Sequence, residues 1–282
     1  MSQKIVWLES LLEINFIMES TNDNFDKKLE KVEEKLKKHF ANYDLSNPKI
    51  ALKVAHTFKT KIVNNQIAKS LNLSNRDLYI SNLIALFHDY GRFEQIKKFD
   101  TFSDLNSFDH GDLGAKLLIE DGQINNFVDD LTREEKEVIG LAIKNHNKYS
   151  VEQGLSNRQL LFCNIIRDAD KIDIFRIISN GNVVINTKIE DLTSENLKYF
   201  NERKLNKITK DENFYTSIIT YLCYCFDLNY KKSFEILAEN NYVRDFKYYI
   251  MLWSDFSVDP KIYDCFDEVN SYIKQKAQED NL

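Results

Sequence analysis

An imidazole and a carboxylate stand side by side where a strongly apolar segment ends. The segment is Leu83–Phe87, and His88 and Asp89 follow it directly. Because the segment is apolar on all sides, it predicts a buried helix, which Gly91 would end. A buried carboxylate is costly unless it is paired, hydrogen-bonded or bound to a metal, and a neutral imidazole supplies the nitrogen that transition metals favour. The pair predicts part of a metal site, although a core histidine beside a capping aspartate gives the same short pattern.

Other histidines occupy comparable positions along the chain. His56 lies in a helix predicted to start at Pro48, on a side that can reach inward beside the apolar face. His110 opens another predicted helix, and His146 stands at the far end of a helix that starts at a capping box on Thr132. Helix ends that converge form pockets in helical bundles. The pattern predicts that four of the five histidines meet at one site.

A run of acidic residues interrupts the last apolar helix of this region. That helix is predicted to start at Ser156 and to stop at Gly181, and Asp168, Asp170 and Asp173 lie in its middle. The three carboxylates cannot all face water while the neighbouring isoleucines face the core. We expect at least one of them to point at a cation.

The composition favours an all-α fold. The chain has 282 residues, of which 43% are hydrophobic, and it contains only 7 Gly and 2 Pro, which leaves little turn chemistry for a β-sandwich or barrel. Helical spacing predicts further helices over 3–19 and 25–42. Residues 92–109 lack a clear period and are predicted to be a loop lying over the site.

Three regions are expected along the chain. N-terminal helices (1–47) would pack on a core (48–182) that holds the histidines. A C-terminal extension (183–282) contains no histidine but many aromatic residues, with predicted helix starts at Thr193, Asp211 and Pro260. We expect this extension to cap the pocket or to join copies of the chain into a homo-oligomer.

The charge and the cysteines argue against several classes of protein. A net charge of −6 and a pI near 5.5 disfavour a nucleic-acid polymer as partner, since such binders usually carry a basic surface. The four cysteines form neither a CxxC pair nor a disulfide framework, so we expect reduced core residues. Charged residues interrupt the apolar pattern of the N-terminus, and no apolar stretch reaches the roughly 20 residues of a membrane helix. A cytoplasmic protein without a membrane partner is expected.

Taken in order, the candidate ligands form the pattern H…HD…H…H…D, and no P-loop, GxSxG or GxGxxG motif competes with it. Over residues 48–182 this pattern resembles the HD-domain superfamily of metal-dependent phosphohydrolases, which have an all-α fold. The step from His88-Asp89 to Gly91-Arg92 is similar to the HD-x-G-Lys or Arg form of the phosphodiesterase-like branch of that superfamily.

The resemblance implies a site for two divalent transition metals, such as Fe, Mn, Zn or Ni. The aspartate of the motif, here Asp89, would bridge them. Asp170 is preferred to Asp168 as the last ligand because that ligand lies in an Ala-Asp-Lys-like step in the family. The implied ligands are His56, His88, Asp89 and Asp170 for the first metal, with His110 and His146 added for the second.

The reaction that the resemblance implies is hydrolysis of a phosphoester by a metal-activated hydroxide. The substrate would be a small phosphorylated molecule, such as a nucleotide or a cyclic dinucleotide. Basic residues beside the ligands would form a local positive rim on an acidic protein, although each of them alone also fits a solvated surface charge. The catalytic residues would be Asp89, Arg92 and Lys171, and the substrate-binding residues would be Arg92, Lys97, Lys144 and Lys148.

Two other classes of protein fit the same residues. A dinuclear iron oxygenase related to the polyol oxygenases uses similar ligands in a related fold. A non-catalytic module that binds metal or nucleotide is the other alternative, which is disfavoured because no ligand position is lost.

Overall fold

The computed structural model describes residues 24–181, 190–206, 213–254 and 257–279. All regular structure in these ranges is helical, so the predicted all-α fold is confirmed. The predicted helix over 3–19 and the predicted helix start at Asp211 lie outside the described residues. Within the described ranges, no helix has both the length and the apolar character needed to cross a bilayer.

Two groups of helices follow each other along the chain. The first group consists of α1 (24–40), α2 (Pro48–Ser70), α3 (Asn75–Phe87), α4 (Tyr90–Phe99), α5 (His110–Ala115, continued by a π-helical turn, Lys116–Glu120), α6 (Arg133–Asn145) and α7 (Asn157–Ser179). The second group consists of α8 (Ser194–Asn201), α9 (Phe214–Cys223), α10 (Lys231–Asn240), α11 (Tyr242–Trp253) and α12 (Lys261–Gln278).

Side-chain caps start several of these helices where the sequence predicts. Asn47 accepts a hydrogen bond from the Lys49 N–H, and Pro48 occupies the first position of α2. Reciprocal capping boxes begin α6 at Thr132 and α7 at Ser156. Because the first N–H groups of a helix have no partner inside it, these caps determine where each helix begins.

The region after the His-Asp pair departs from the prediction. The predicted stop at Gly91 and the first part of the predicted loop over 92–109 are wrong, because α4 begins directly after the pair. Phe93 and Ile96 are buried on one side of this short helix and hold it against the core. The loop covers only 100–109 and contains a 3₁₀ turn.

Gly91 allows two helices to approach each other closely. It lies in the first turn of α4, and a β-carbon added there would come within 2.7 Å of the backbone nitrogen of Gly114 and would collide with the carbonyl oxygen of His110. Both atoms belong to α5, so a residue without a side chain is required for α5 to pack at this distance. The close approach brings His110 beside the His-Asp pair.

Helix α7 lies between two apolar clusters. Phe162 and Ile166 belong to a cluster formed with α1, α3, α4 and α6, whereas Ile165 and Ile172 belong to a cluster formed with the C-terminal helices. A helix that is apolar on two sides is buried, and its polar side chains then contact other elements of the protein. The acidic run of α7 can therefore contribute to an internal site.

Candidate metal centre

Six side chains converge inside the first group of helices. Two of them come from the turn between α3 and α4, and one each comes from the middle of α2, the start of α5, the end of α6 and the acidic run of α7. In that order they are His88 and Asp89, His56, His110, His146 and Asp170. The four imidazoles and the Asp89 carboxylate are buried, and the side chain of Asp170 is 15% exposed. The structure thus brings together all six residues that the resemblance implies as ligands.

Two of the histidines are oriented by the ends of their own helices. The Nδ1 of His88 donates to the carbonyl oxygen of Ala85 at 2.7 Å, and the Nδ1 of His146 donates to that of Ile143 at 2.6 Å. These carbonyls belong to the last turns of α3 and α6, where they lack partners within the helix. Because a carbonyl can only accept, the proton is on Nδ1, and Nε2 carries a lone pair in the neutral ring.

Carboxylates orient the other two histidines. The Nδ1 of His56 lies 2.7 Å from Asp173, and the Nδ1 of His110 lies 2.8 Å from Asp104. Asp173 is itself held by Arg176 at 2.6 Å. A carboxylate behind a histidine fixes its tautomer and increases its basicity, as in many metal sites. All four rings therefore present Nε2 to the interior.

The four Nε2 atoms face each other in two pairs. The Nε2 atoms of His56 and His88 are 3.2 Å apart, and those of His110 and His146 are 3.0 Å apart. Lone pairs at these separations repel each other unless a proton or a metal ion lies between them. This donor set therefore fits bound transition-metal ions.

Asp89 lies between the two pairs and faces each of them with one oxygen. Its Oδ2 is 3.5 Å from the Nε2 of both His56 and His88, and its Oδ1 is 3.3 Å from that of His110 and 3.9 Å from that of His146. Asp170 joins the first pair. Its Oδ1 is 3.0 Å from the Nε2 of His56 and 3.7 Å from that of His88. Histidine and aspartate groups in this cluster could hold a metal ion.

The local charges favour the metal-binding forms of Asp89 and His146, whereas the carboxylates of Asp170 and Asp173 raise the pKa of His56. Burial alone would raise the pKa of Asp89, but Lys53, His88 and His110 outweigh it and hold that pKa well below its usual value. Burial, together with the neighbouring His110 and His88, holds the pKa of His146 well below its usual value. An ionised carboxylate and a neutral imidazole are the forms that coordinate metal ions.

Asp168 and Asp170 have different partners. Asp168 accepts hydrogen bonds from the backbone N–H of Asn229 at 2.9 Å and from the hydroxyl of Ser233 at 2.6 Å. Burial raises the pKa of Asp168 to about 6 despite these bonds. At Asp170 the effect of burial is outweighed by the neighbouring imidazoles of His56 and His88, which hold the pKa well below its usual value. Asp168 thus anchors the C-terminal segment, while Asp170 lies at the imidazoles.

Arg92 lies at the cluster and also holds the loop 100–109. Its Nη2 is 2.9 Å from the Nε2 of His110, and its Nε is 3.6 Å from the Oδ1 of Asp89. Its Nη1 donates to the carbonyl oxygen of Phe102 at 2.7 Å and to Asp104 at 3.0 Å. The buried Nε–H makes no hydrogen bond with any described residue.

The four lysines predicted to act at the site have partners elsewhere. Three form ion pairs with aspartate or glutamate at 2.5 to 3.2 Å, and the fourth lies over an aromatic ring. Their roles at a substrate stay predictions. The pairs are Lys148 with Asp109, Lys171 with Asp227, Lys144 with Glu152, and Lys97 with the ring of Tyr43.

Sequence reasoning missed two residues that contact the candidate ligands, Lys53 and Asp104, and it did not assign Asp173 its role behind His56. Lys53 donates to the Oδ2 of Asp89 at 2.6 Å, and its position one helical turn before His56 was a usable signal. Asp173, one of the three acids from which a cation ligand is expected, instead supports His56 at 2.7 Å. No spacing points to Asp104, because it lies in an irregular loop.

Comparison of the chain with models of protein families, with curated proteins and with solved structures finds no match in any of the three.

Proposed function

We propose that the chain is a metal-dependent phosphohydrolase of the HD-domain superfamily that acts on a small phosphorylated substrate. The observation that carries this proposal is the pairwise approach of four imidazole Nε2 atoms on either side of the Asp89 carboxylate. In a packed core these lone pairs would face each other unfavourably unless a proton or a metal ion lies between them.

Two cations would be held by this arrangement. His56, His88 and Asp170 would ligate the first, His110 and His146 the second, and Asp89 both. Mixed imidazole and carboxylate ligands suit iron, manganese, zinc or nickel. When bound, such a pair of ions supplies an activated water and positive charge at the phosphoryl oxygens.

The protein itself would position the metals and the substrate. Asp104 and Asp173 hold two of the imidazoles in the tautomer that ligates. Arg92 carries an unused Nε–H beside Asp89, and a planar guanidinium is suited to phosphoryl oxygens. The lysines predicted to act at the site would contribute only by leaving their present partners.

A metal analysis combined with a phosphoester panel tests this function. The protein is purified without oxygen, its metals are counted by plasma emission, and hydrolysis is measured with Mn²⁺, Fe²⁺, Ni²⁺ or Mg²⁺. We expect hydrolysis that is lost in Asp89→Asn and kept in Asp121→Asn, a matched change at an exposed site. An air-sensitive mixed-valence iron centre without phosphoester hydrolysis would refute the proposal and indicate an oxygenase.

A further inference from the structure

Lys53 makes a direct contact with the proposed metal centre. Its Nζ lies 2.6 Å from the Oδ2 of Asp89, and its side chain is only 14% exposed. The same Nζ lies 5.7 Å from the centre of the Phe102 ring, which belongs to the loop 100–109. Lys53 therefore stands between the buried carboxylate and the loop.

Lys53 contacts the same oxygen of Asp89 that faces His56 and His88. The Oδ2 of Asp89 is 3.5 Å from the Nε2 of His56 and 3.5 Å from that of His88. A cation held by those nitrogens and Oδ2 would lie close to the ammonium group. Two positive charges cannot share this oxygen without strong repulsion, since the site is buried and poorly screened.

The Lys53 side chain can adopt a position away from Asp89. An ammonium on a flexible four-carbon stem can rotate away from Asp89, and the side chain is partly exposed, with its Nζ 5.7 Å from the centre of the Phe102 ring. A lysine at the edge of a metal site is a suitable donor to a phosphate group as a mobile point charge.

We propose that Lys53 neutralises Asp89 until the first cation binds, and then contacts the phosphoryl group of the substrate. This inference rests on the proposed function for its second half. Removal of Lys53 should strengthen metal binding and, at the same time, weaken phosphate binding. A residue that only supports the fold would weaken both.

The test compares Lys53→Met with Lys59→Met. Lys59 is exposed on the same helix, three residues after His56, so both variants lose one positive charge. Mn²⁺ binding to the chelator-treated protein and inorganic phosphate binding to the Mn²⁺-loaded protein are measured by calorimetry. In Lys53→Met we expect Mn²⁺ affinity to rise about tenfold and phosphate affinity to fall about tenfold or more. Lys59→Met should match the wild type in both.

Lys53→Arg provides a second variant that keeps the charge. Its Mn²⁺ and phosphate affinities should stay within about threefold of the wild type. Unchanged or weaker Mn²⁺ binding in Lys53→Met, or unchanged phosphate binding, would overturn the proposal. If both shifts occur but the loaded wild-type protein hydrolyses no phosphoester, the role of Lys53 is supported and the phosphohydrolase function fails.

Discussion

Replacement of Asp104 by alanine should weaken binding of the second cation far more than binding of the first. Asp104 is not one of the six ligands, but its oxygens lie 2.8 and 2.9 Å from the Nδ1 of His110. It also accepts hydrogen bonds from Arg92 at 3.0 Å and from Gln95 at 2.7 Å. In the variant, His110 loses the acceptor that keeps its Nε2 directed at Asp89.

The expected size follows from the kind of contact that is lost. Removal of the hydrogen-bond partner behind a metal-bound histidine weakens metal binding by about 10- to 100-fold, or roughly 1.4 to 2.7 kcal/mol. Asp104→Asn should give a smaller loss. An amide keeps one acceptor oxygen, but every described partner of this carboxylate is a donor, so its NH₂ group faces a donor in either orientation.

Calorimetric titration of the metal-free protein with Mn²⁺ separates the two binding steps. Asp173→Ala is the matched variant, because Asp173 supports His56 at 2.7 Å and so acts on the first cation. We expect Asp104→Ala to weaken mainly the binding of the second cation and Asp173→Ala mainly the binding of the first. Equal weakening of both steps by Asp104→Ala, or no weakening at all, would refute this reading of the second-site geometry.

Three further predictions concern the acidic run, the packing at the site and an ion pair between α3 and α6. Asp170→Asn should lose the first cation, whereas Asp168→Asn should keep the metal content measured by plasma emission and lower the thermal midpoint. Gly91→Ala should cost about 1 to 3 kcal/mol in urea unfolding, because its methyl group meets backbone atoms. Hydrogen bonds from Arg76 and from the Thr132 backbone lower the pKa of Glu135 to about 2, so the stability that the ionised carboxylate adds is present above pH 4.5 and is lost as the pH falls towards 2. The stability difference between the wild type and Glu135→Gln, measured by urea unfolding against pH, should shrink over that interval, and a difference as large at pH 2 as at pH 7 would contradict it.

The helical architecture could be predicted because its signals are local. Capping boxes at Thr132 and Ser156 and proline at the start of α2 act within one turn, so the sequence carries them directly. The short helix α4 could not be predicted in this way. Phe93 and Ile96 give it too few apolar positions to show a period, and packing against the core stabilises it.

The clustering of the six candidate ligands could be predicted better than the contacts of the residues around them. Histidines and aspartates in this order along the chain, several of them at helix ends, are rare enough to be informative. The partners of the basic residues depend on distant segments, such as the contact of Lys148 with Asp109 or of Lys171 with Asp227. Spacing around His146 or Asp170 contains no information about those segments, so the predicted basic rim did not anticipate these ion pairs.

The number of metals per chain tests the proposed dinuclear centre most directly. Wild type and a double variant, His110→Ala with His146→Ala, are loaded with Mn²⁺, desalted and analysed by plasma emission. Two ions per chain are predicted for the wild type and one for the double variant, with circular dichroism showing the same helix content in both. Equal metal counts in the two proteins would contradict a second cation at His110 and His146.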